Sequence, residues 1–181
     1  GGVLFAVFSQ AYKIDRGVLE TWVAALEAGA TLWVLRHNTQ SEGALRAAAH
    51  RLGLSAEGRA RLVFTDLLAV EVELQTKALA DVLLDTPLFG AHTTGVDGLW
   101  AGLPLLTAPG ESLPSRVPAS LALEAGSGST VARNLADYRQ VLVRLTTCAR
   151  ARLRAREGVR VARGCGGQIA DSPPSTNSPP S

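Results

Sequence analysis

The residues best suited to chemistry lie where a predicted strand leads into a predicted helix, within residues 84–104. His92, Thr93 and Thr94 stand at the expected helix N-terminus, where free backbone N–H groups and the helix dipole favour an anion. Asp97 lies one turn further along the same face as Thr93, so a carboxylate stands behind a site of phosphate size. This layout suits a nucleotide diphosphate followed by a ribose. An ordinary strand-to-helix connection with Thr93 as its N-cap fits the same spacing.

A second candidate contact is a lysine in another loop. Ligands of open parallel sheets bind outside the carboxyl ends of the strands, and the loops after Phe8, Phe64 and Leu84 are expected there. The first of these loops carries Lys13, which could meet a phosphate as a flexible point charge. A solvated loop lysine is the alternative that the sequence leaves open.

The elements that must position these residues follow from the hydrophobic pattern. Short apolar, β-branched runs alternate with helical patterns, which is typical of βαβ units and a mostly parallel sheet. The predicted strands cover residues 3–8, 31–35, 61–64, 82–84 and 103–107. The predicted helices cover residues 16–28, 41–52, 70–80 and 93–101, and a last long helix follows Asn134 as its N-cap. Apolar residues spaced i, i+3, i+4 and i+7 predict a stripe that faces the core: Val96, Leu99, Trp100 and Leu103.

Length and composition indicate one globular domain. The chain has 181 residues, 46% of them hydrophobic, and a formal net charge of +2. No apolar run approaches the roughly 20 residues of a membrane span, and the apolar N-terminus lacks the basic lead-in of a signal peptide. Two cysteines without a CxxC motif indicate a reducing compartment. A start at Gly1 with no methionine anywhere suggests a piece of a longer chain.

The end of the chain differs in composition from the rest. We predict one lobe over residues 1–160 with a basic C-terminal helix, and a disordered Gly/Pro/Ser-rich tail over residues 161–181. The basic residues are Arg144, Arg150, Arg152, Arg154, Arg156, Arg160 and Arg163. Such a stripe could bind nucleic acid or acidic lipid. Because no aromatic residues interleave for base stacking, a solvated helix face is predicted, with neither nucleic acid nor membrane as a partner.

An ordered series of motifs runs from about Phe5 to Asp137. They are Phe8-Ser9-Gln10-Ala11-Tyr12-Lys13-Ile14, Leu32-Trp33-Val34-Leu35-Arg36, Leu79-Ala80-Asp81-Val82, Gly102-Leu103-Pro104, Thr107-Ala108-Pro109-Gly110-Glu111 and Ser115-Arg116-Val117-Pro118-Ala119-Ser120. The series resembles the C-terminal half of the catalytic region of protein O-GlcNAc transferases, the SPINDLY-like glycosyltransferases. The resemblance implies an α/β fold: a Rossmann-like parallel-sheet lobe, the C-terminal, UDP-sugar-binding half of a two-lobe GT-B glycosyltransferase.

The resemblance also implies a set of site residues. The UDP-sugar would be bound by Gln10, Lys13, His92, Thr93, Thr94 and Asp97. Lys13 and His92 are the expected catalytic residues: Gln10 and Lys13 would meet the diphosphate, His92 and the two threonines would cradle it, and Asp97 would support the nucleoside side. No Asp-x-Asp motif occurs, so no metal and no cofactor beyond the donor UDP-GlcNAc are expected. Lys13 and the helix N-terminus would replace a divalent ion in stabilising the leaving UDP.

This sequence departs from the family in two places. The family carries a lysine, a histidine and an arginine that bind the nucleotide, where an ungapped count gives Val70, Glu73 and Thr76 here. Losing three such contacts could cost several kcal/mol, since hydrogen bonds to charged groups contribute roughly 1.5–3 kcal/mol each. After about Arg156 the family continues into further helix, whereas this chain becomes rich in Gly, Pro and Ser.

The sequence therefore predicts transfer of N-acetylglucosamine from UDP-GlcNAc to Ser and Thr hydroxyls of proteins, in the cytoplasm or nucleus. Acceptor proteins would bind through a missing N-terminal lobe and possible helical repeats, so the isolated chain is expected to be weakly active or inactive. The departures favour an alternative, a non-catalytic nucleotide-sugar-binding or regulatory fragment. A different two-lobe sugar enzyme, such as an epimerase or a glycogen-synthase-like transferase, is a third hypothesis.

Overall fold

The computed structural model describes residues 2–66 and 75–165, with side chains as far as residue 159. The strands are β1 (Leu4–Val7), β2 (Thr31–Arg36), β3 (Leu62–Asp66), β4 (Val82–Leu84) and β5 (Leu105–Leu106). The helices are α1 (Arg16–Glu27), α2 (Thr39–Arg51), α3 (Ala56–Ala60), α4 (Thr93–Trp100), α5 (Leu113–Glu124), α6 (Leu135–Thr147) and α7 (Ala149–Cys165). Short 3-10 turns span Ala11–Lys13 and Gly128–Thr130, and residues 75–77 form a further helical turn.

The strands form one parallel sheet in the order β3-β2-β1-β4-β5. The first strand is central, and Phe5 pairs with Leu32 of β2 on one side and with Val82 of β4 on the other. The chain builds outward from β1 to β3, then crosses back to place β4 and β5 on the opposite side. The order therefore reverses between β1 and β4, which is where open α/β sheets bind their ligands. All five predicted strands are confirmed.

Helices bury both faces of the sheet, as continuous apolar strands require. On one face, Trp22 of α1 and Tyr138 of α6 are fully buried, and the Trp22 Nε1–H donates to the Tyr138 hydroxyl oxygen at 3.2 Å. On the other face, Ala6, Leu83 and Leu103 lie in a second buried cluster. The β1 strand contributes to both clusters, which explains why none of its residues is polar.

Side chains cap the starts of α1 and α6, the second of them at the predicted Asn134. The Asp15 carboxylate accepts a hydrogen bond from the Val18 N–H at 2.9 Å at the start of α1. The Asn134 side-chain oxygen accepts from the Asp137 N–H at 2.9 Å at the start of α6. Each side chain satisfies a first-turn donor that the helix itself cannot satisfy.

The predicted apolar stripe of α4 is only half correct. Leu99 and Leu103 are buried, but Val96 is 46% and Trp100 66% exposed. The buried face of the helix consists of Gly95, Gly98 and Leu99. A Cβ on Gly98 would lie 2.6 Å from Leu83 Cδ2, so the missing side chain allows α4 to approach β4 closely. The larger residues are thereby turned toward solvent.

The start of α4 also differs from the simplest prediction. Thr93 is the first helical residue, and the N-cap is His92, whose side chain makes no capping hydrogen bond. The structure therefore contradicts the interpretation of Thr93 as an N-cap and leaves the helix N-terminus without a side-chain cap.

Other element predictions need correction or lie outside the described residues. The helix α5 was not predicted, because Pro114 and Pro118 interrupt its pattern, although a proline in the first turn is compatible with a helix. Most of the predicted helix 70–80 lies outside the described residues. The C-terminal helix is divided at Cys148, and the backbone of α7 continues to Cys165, past the boundary predicted at residue 160. The rest of the predicted tail lies outside the described residues.

The basic stripe is partly bound within the molecule rather than fully solvated. Arg152 donates to the carbonyls of Leu145 and Thr146 at the end of α6. Arg156 donates to the Ala80 carbonyl at 3.0 Å. These two arginines attach α7 to the lobe. In the part of the chain that the structure describes, no helix is both long enough and apolar enough to cross a membrane.

Candidate anion-binding site at the strand switch point

Two predicted site loops meet beside the switch point between β1 and β4. Lys13 ends the 3-10 turn that follows β1, and its Nζ lies 4.4 Å from the centroid of the Phe89 ring. Phe89 belongs to the loop after β4. A cation at this distance is attracted by the negative face of an aromatic ring. The contact holds the Lys13 ammonium against the loop that carries His92.

His92 is oriented from two sides. Its ring stacks on Phe89, with the ring centroids 5.5 Å apart and the planes inclined by 25°. Its Nε2 lies 3.2 Å from the carbonyl oxygen of Pro114. Because a carbonyl only accepts, the Nε2–H donates in this contact, and Nδ1 can donate to a phosphate oxygen only when it carries a proton as well. Lys13 and His92, from separate loops, thus share one aromatic support.

The N-terminus of α4 continues directly from His92. Thr93 is exposed and Thr94 half-buried. Helix geometry leaves the first backbone N–H groups of α4 without carbonyl partners inside the helix. Gln10 is exposed at the start of the turn that ends in Lys13, and its carbonyl accepts from the Lys13 N–H at 3.0 Å. A lysine, helix-terminal amides and hydroxyls are donors suited to an anion with several oxygens.

Asp97 forms an ion pair with a buried lysine. Its Oδ2 lies 3.1 Å from Nζ of Lys77, whose side chain is only 3% exposed, whereas the Asp97 side chain is 37% exposed. The carboxylate predicted to support a nucleoside is therefore already part of an ion pair. Thr76, one of the three departures from the family, is half-buried and lines a small cavity of about 10 Å³ together with Lys77. The other two departures, Val70 and Glu73, lie outside the described residues.

A buried carboxylate braces the loop that carries His92. Asp85 follows β4 and has no solvent exposure. One carboxylate oxygen accepts from the Ala91 N–H at 2.7 Å, and the other accepts from the Thr107 hydroxyl at 2.6 Å. The carbonyl of Asp85 accepts from the Tyr138 hydroxyl at 3.1 Å. Asp85 therefore connects the loop after β4 to the end of β5 and to α6.

Burial governs the ionisation of this network. Burial raises the pKa of the Asp85 carboxyl, while the hydrogen bonds from Thr107, Ala91 and Thr86 and the charge of Lys13 oppose that rise. Burial also raises the pKa of Tyr138 far above its ordinary value, so this hydroxyl stays protonated.

The structure thus brings Lys13, His92, Thr93 and Thr94 together and places Asp97 one helical turn away. Sequence reasoning missed Asp85, Phe89 and Lys77. A charged residue directly after an apolar strand was a usable signal for Asp85, whereas nothing local marks the other two. Among the described residues, no group of three His, Cys, Asp or Glu side chains could hold a metal ion. The expectation that the chemistry needs no metal remains a prediction.

Comparison with known proteins gives a consistent result. The sequence profile of glycosyl transferase family 41 matches residues 1–168. The chain is 41% identical over 149 residues to a UDP-N-acetylglucosamine–peptide N-acetylglucosaminyltransferase of Caenorhabditis elegans, covering 81% of this chain and 13% of the relative. It is 37% identical over 145 residues to SEC of Arabidopsis thaliana, a probable enzyme of the same description. That match covers 78% of this chain and 14% of the relative.

Solved structures agree with these relatives. An O-GlcNAc transferase mutant of Thermobaculum terrenum matches with a TM-score of 0.83 and 25% identity, over 93% of this chain and 33% of that one. The glycotransferase of kitacinnamycin matches with a TM-score of 0.52 at 17% identity, which supports the fold alone. The chain spans only about one seventh of the length of the two relatives in the preceding comparison. The five-stranded parallel lobe with its helices is therefore a Rossmann-like lobe of the GT-B fold, and the chain belongs to glycosyl transferase family 41.

Proposed function

We propose that this chain is the UDP-sugar-binding lobe of a protein O-GlcNAc transferase, which transfers N-acetylglucosamine from UDP-GlcNAc to Ser and Thr hydroxyls. The observation that carries the proposal is the meeting of Lys13 and His92 on the Phe89 ring, beside the N-terminus of α4. The names of the two relatives from Caenorhabditis elegans and Arabidopsis thaliana support the substrate and the reaction.

In this reaction the lobe would stabilise the leaving group, UDP. The acceptor hydroxyl oxygen bonds to the sugar C1 as the bond from C1 to the β-phosphate oxygen breaks, and the hydroxyl proton is released. Negative charge grows on UDP during this step, so donors fixed around the diphosphate lower the barrier. Lys13 would follow that charge, while His92, Thr93 and Thr94 would hold the phosphate oxygens. Gln10 would contact the diphosphate from the opposite loop.

Calorimetry on the chain tests the nucleotide assignment. UDP is expected to bind more tightly than ADP or GDP, and Lys13→Ala is expected to weaken UDP binding about tenfold through loss of one phosphate-facing charge. Arg16→Ala is the matched control, because Arg16 also carries a positive charge but its side chain is 82% exposed and pairs with Glu20. Equal binding of all nucleotides, or no UDP binding, would overturn the assignment.

The alternative is a nucleotide-sugar-binding fragment that does not catalyse transfer. An apolar residue at Val70 and an acidic one at Glu73, where the family carries a lysine and a histidine, favour weaker nucleotide contacts than the family pattern implies. The two proposals separate in a longer protein that contains this lobe. Binding of UDP without sugar transfer to a Ser/Thr peptide would support the alternative, and transfer would exclude it.

Acceptor proteins form the other part of the proposal. We expect them to bind outside this chain, on a further lobe and on helical repeats, so that the isolated chain shows little or no transfer. We also place the protein in the cytoplasm or nucleus, a reducing environment that suits the free, exposed thiol of Cys148. Robust transfer by the isolated chain would contradict the first expectation, and fluorescence imaging of the tagged longer protein tests the second.

A further inference from the structure

A buried lysine next to the proposed site has a role that the mechanism above does not use. The Lys77 side chain is 3% exposed, and its Nζ lies 3.1 Å from Asp97 Oδ2. The same Nζ lies 5.6 Å from the centroid of the Phe8 ring, at the end of β1. Lysine is rarely buried unless its charge is compensated, and here a carboxylate and an aromatic face supply that compensation.

The position of Asp97 gives this ion pair a consequence for anion binding. Asp97 lies one helical turn after Thr93, so its carboxylate is about 8 Å from an anion held at the N-terminus of α4. An unpaired negative charge at that distance lowers the affinity for another anion by roughly tenfold at the effective dielectric near a protein surface, after salt screening. Pairing with a lysine removes most of that repulsion.

We propose that Lys77 is a charge-compensating and positioning residue of the site, which neutralises and orients Asp97 so that a nucleoside diphosphate can bind at the N-terminus of α4. The inference rests on the proposed function, since it assumes that the anion is a diphosphate. It adds a second basic residue to the site, one that acts through Asp97 and does not touch the ligand.

A double-mutant cycle measured as UDP affinity tests the inference. Lys77→Met is expected to weaken UDP binding about tenfold, because Asp97 then faces the anion unpaired. In the Asp97→Asn background, the same Lys77→Met change is expected to alter UDP affinity by no more than about twofold, because no carboxylate is then left for Lys77 to neutralise; the Asp97→Asn single variant is the reference, so a nucleoside contact of Asp97 does not enter the comparison. Arg139→Met is the matched control for net charge, since Arg139 is exposed on α6, and it should leave UDP affinity within about twofold.

Ionic strength separates the electrostatic role from a merely structural one. The ratio of wild-type to Lys77→Met affinity should shrink as salt rises from about 50 mM to about 500 mM, whereas a displaced loop would leave that ratio unchanged. If Lys77→Met does not fold, Lys77→Gln removes the charge but keeps a donor to Asp97, and the same tenfold loss is expected.

The outcomes distinguish the two proposals. If the wild-type chain binds UDP and Lys77→Met binds it equally well, the role of Lys77 is overturned and the proposed function stands. The role is also overturned if Lys77→Met weakens UDP binding about tenfold in the Asp97→Asn background as well. If the wild-type chain does not bind UDP, the proposed function fails and the role of Lys77 fails with it.

Discussion

Replacing Asp85 by alanine should destabilise the lobe more than any surface change. The Asp85 carboxylate accepts from the Ala91 N–H at 2.7 Å and from the Thr107 hydroxyl at 2.6 Å, with no exposure to solvent. Each buried donor left without its acceptor costs about 1–3 kcal/mol, so Asp85→Ala is expected to lower the free energy of unfolding by about 2–6 kcal/mol. A domain of ordinary stability, about 5–15 kcal/mol, would lose a large part of it.

Asparagine at the same position should cost less and should change the pH dependence. Burial raises the pKa of Asp85 above its unfolded value of about 3.9, so the folded state holds the proton more tightly than the unfolded state. The stability due to this group is therefore complete below the unfolded pKa and is lost as pH rises through the folded pKa. Asparagine does not titrate, so the cost of Asp85→Asn should decrease as pH rises from about 4 upward.

Urea denaturation of each variant at several pH values measures both effects. Asp66→Asn is the matched control, because Asp66 is 74% exposed in its pair with Arg36 and such pairs contribute about 0–1 kcal/mol. The difference between wild type and Asp85→Asn at each pH isolates the titration of Asp85 from that of other groups. A cost of Asp85→Ala below about 1 kcal/mol, or a cost of Asp85→Asn that grows with pH, would refute the reasoning.

Three further changes can be measured. In the longer protein, Lys13→Ala should lower kcat by roughly 10²–10³ with little change in KM, since the charge acts mainly on the leaving group; near-normal turnover would remove that role. His92→Ala should raise KM for the UDP-sugar more than it lowers kcat, as steady-state kinetics would show, because the ring donates at most one hydrogen bond to the diphosphate; a loss confined to kcat would argue against this. Gly90→Ala should destabilise the lobe by about 1–3 kcal/mol in urea denaturation, because the new Cβ would lie 2.6 Å from Cδ of the rigid Pro118 ring. Gly43→Ala, where a Cβ meets nothing within 4 Å, is its control and should stabilise α2 by up to about 1 kcal/mol; the opposite order would contradict the packing.

The fold was largely predictable because its signals are local. Strands buried on both faces consist of continuous apolar residues, and caps such as Asp15 and Asn134 mark helix starts directly. The errors arise where tertiary packing decides which side chains face the core. A hydrophobic stripe predicted that Trp100 faces the core, but Gly98 packs closely on β4 and turns Trp100 outward. The two prolines of α5 argued against a helix there, but the helix forms and buries one face against the lobe.

The site was predictable in part for a similar reason. His92 stands next to a recognisable helix start, and Lys13 lies in a loop that the strand order brings to the same edge. Their common support, Phe89, could not be predicted, because a ring contact between separate loops leaves no periodic signal. The pairing of Asp97 with Lys77 is equally invisible, since 20 positions separate the two residues. Such contacts are made by the folded chain, and the local sequence around each residue does not indicate them.

The central place of β1 has a consequence for how the chain is made. Its second neighbour is distant in sequence: the Leu4 N–H donates to the Asp81 carboxylate, 77 positions away, at the start of β4. At a synthesis rate of about 5–20 residues per second, β4 follows β1 by roughly 4–15 s. During that interval the central strand β1 lacks its β4 neighbour, and the edge that β4 later covers is open to pairing with other strands. Chaperone binding to this lobe and its misassembly during synthesis should therefore involve β1.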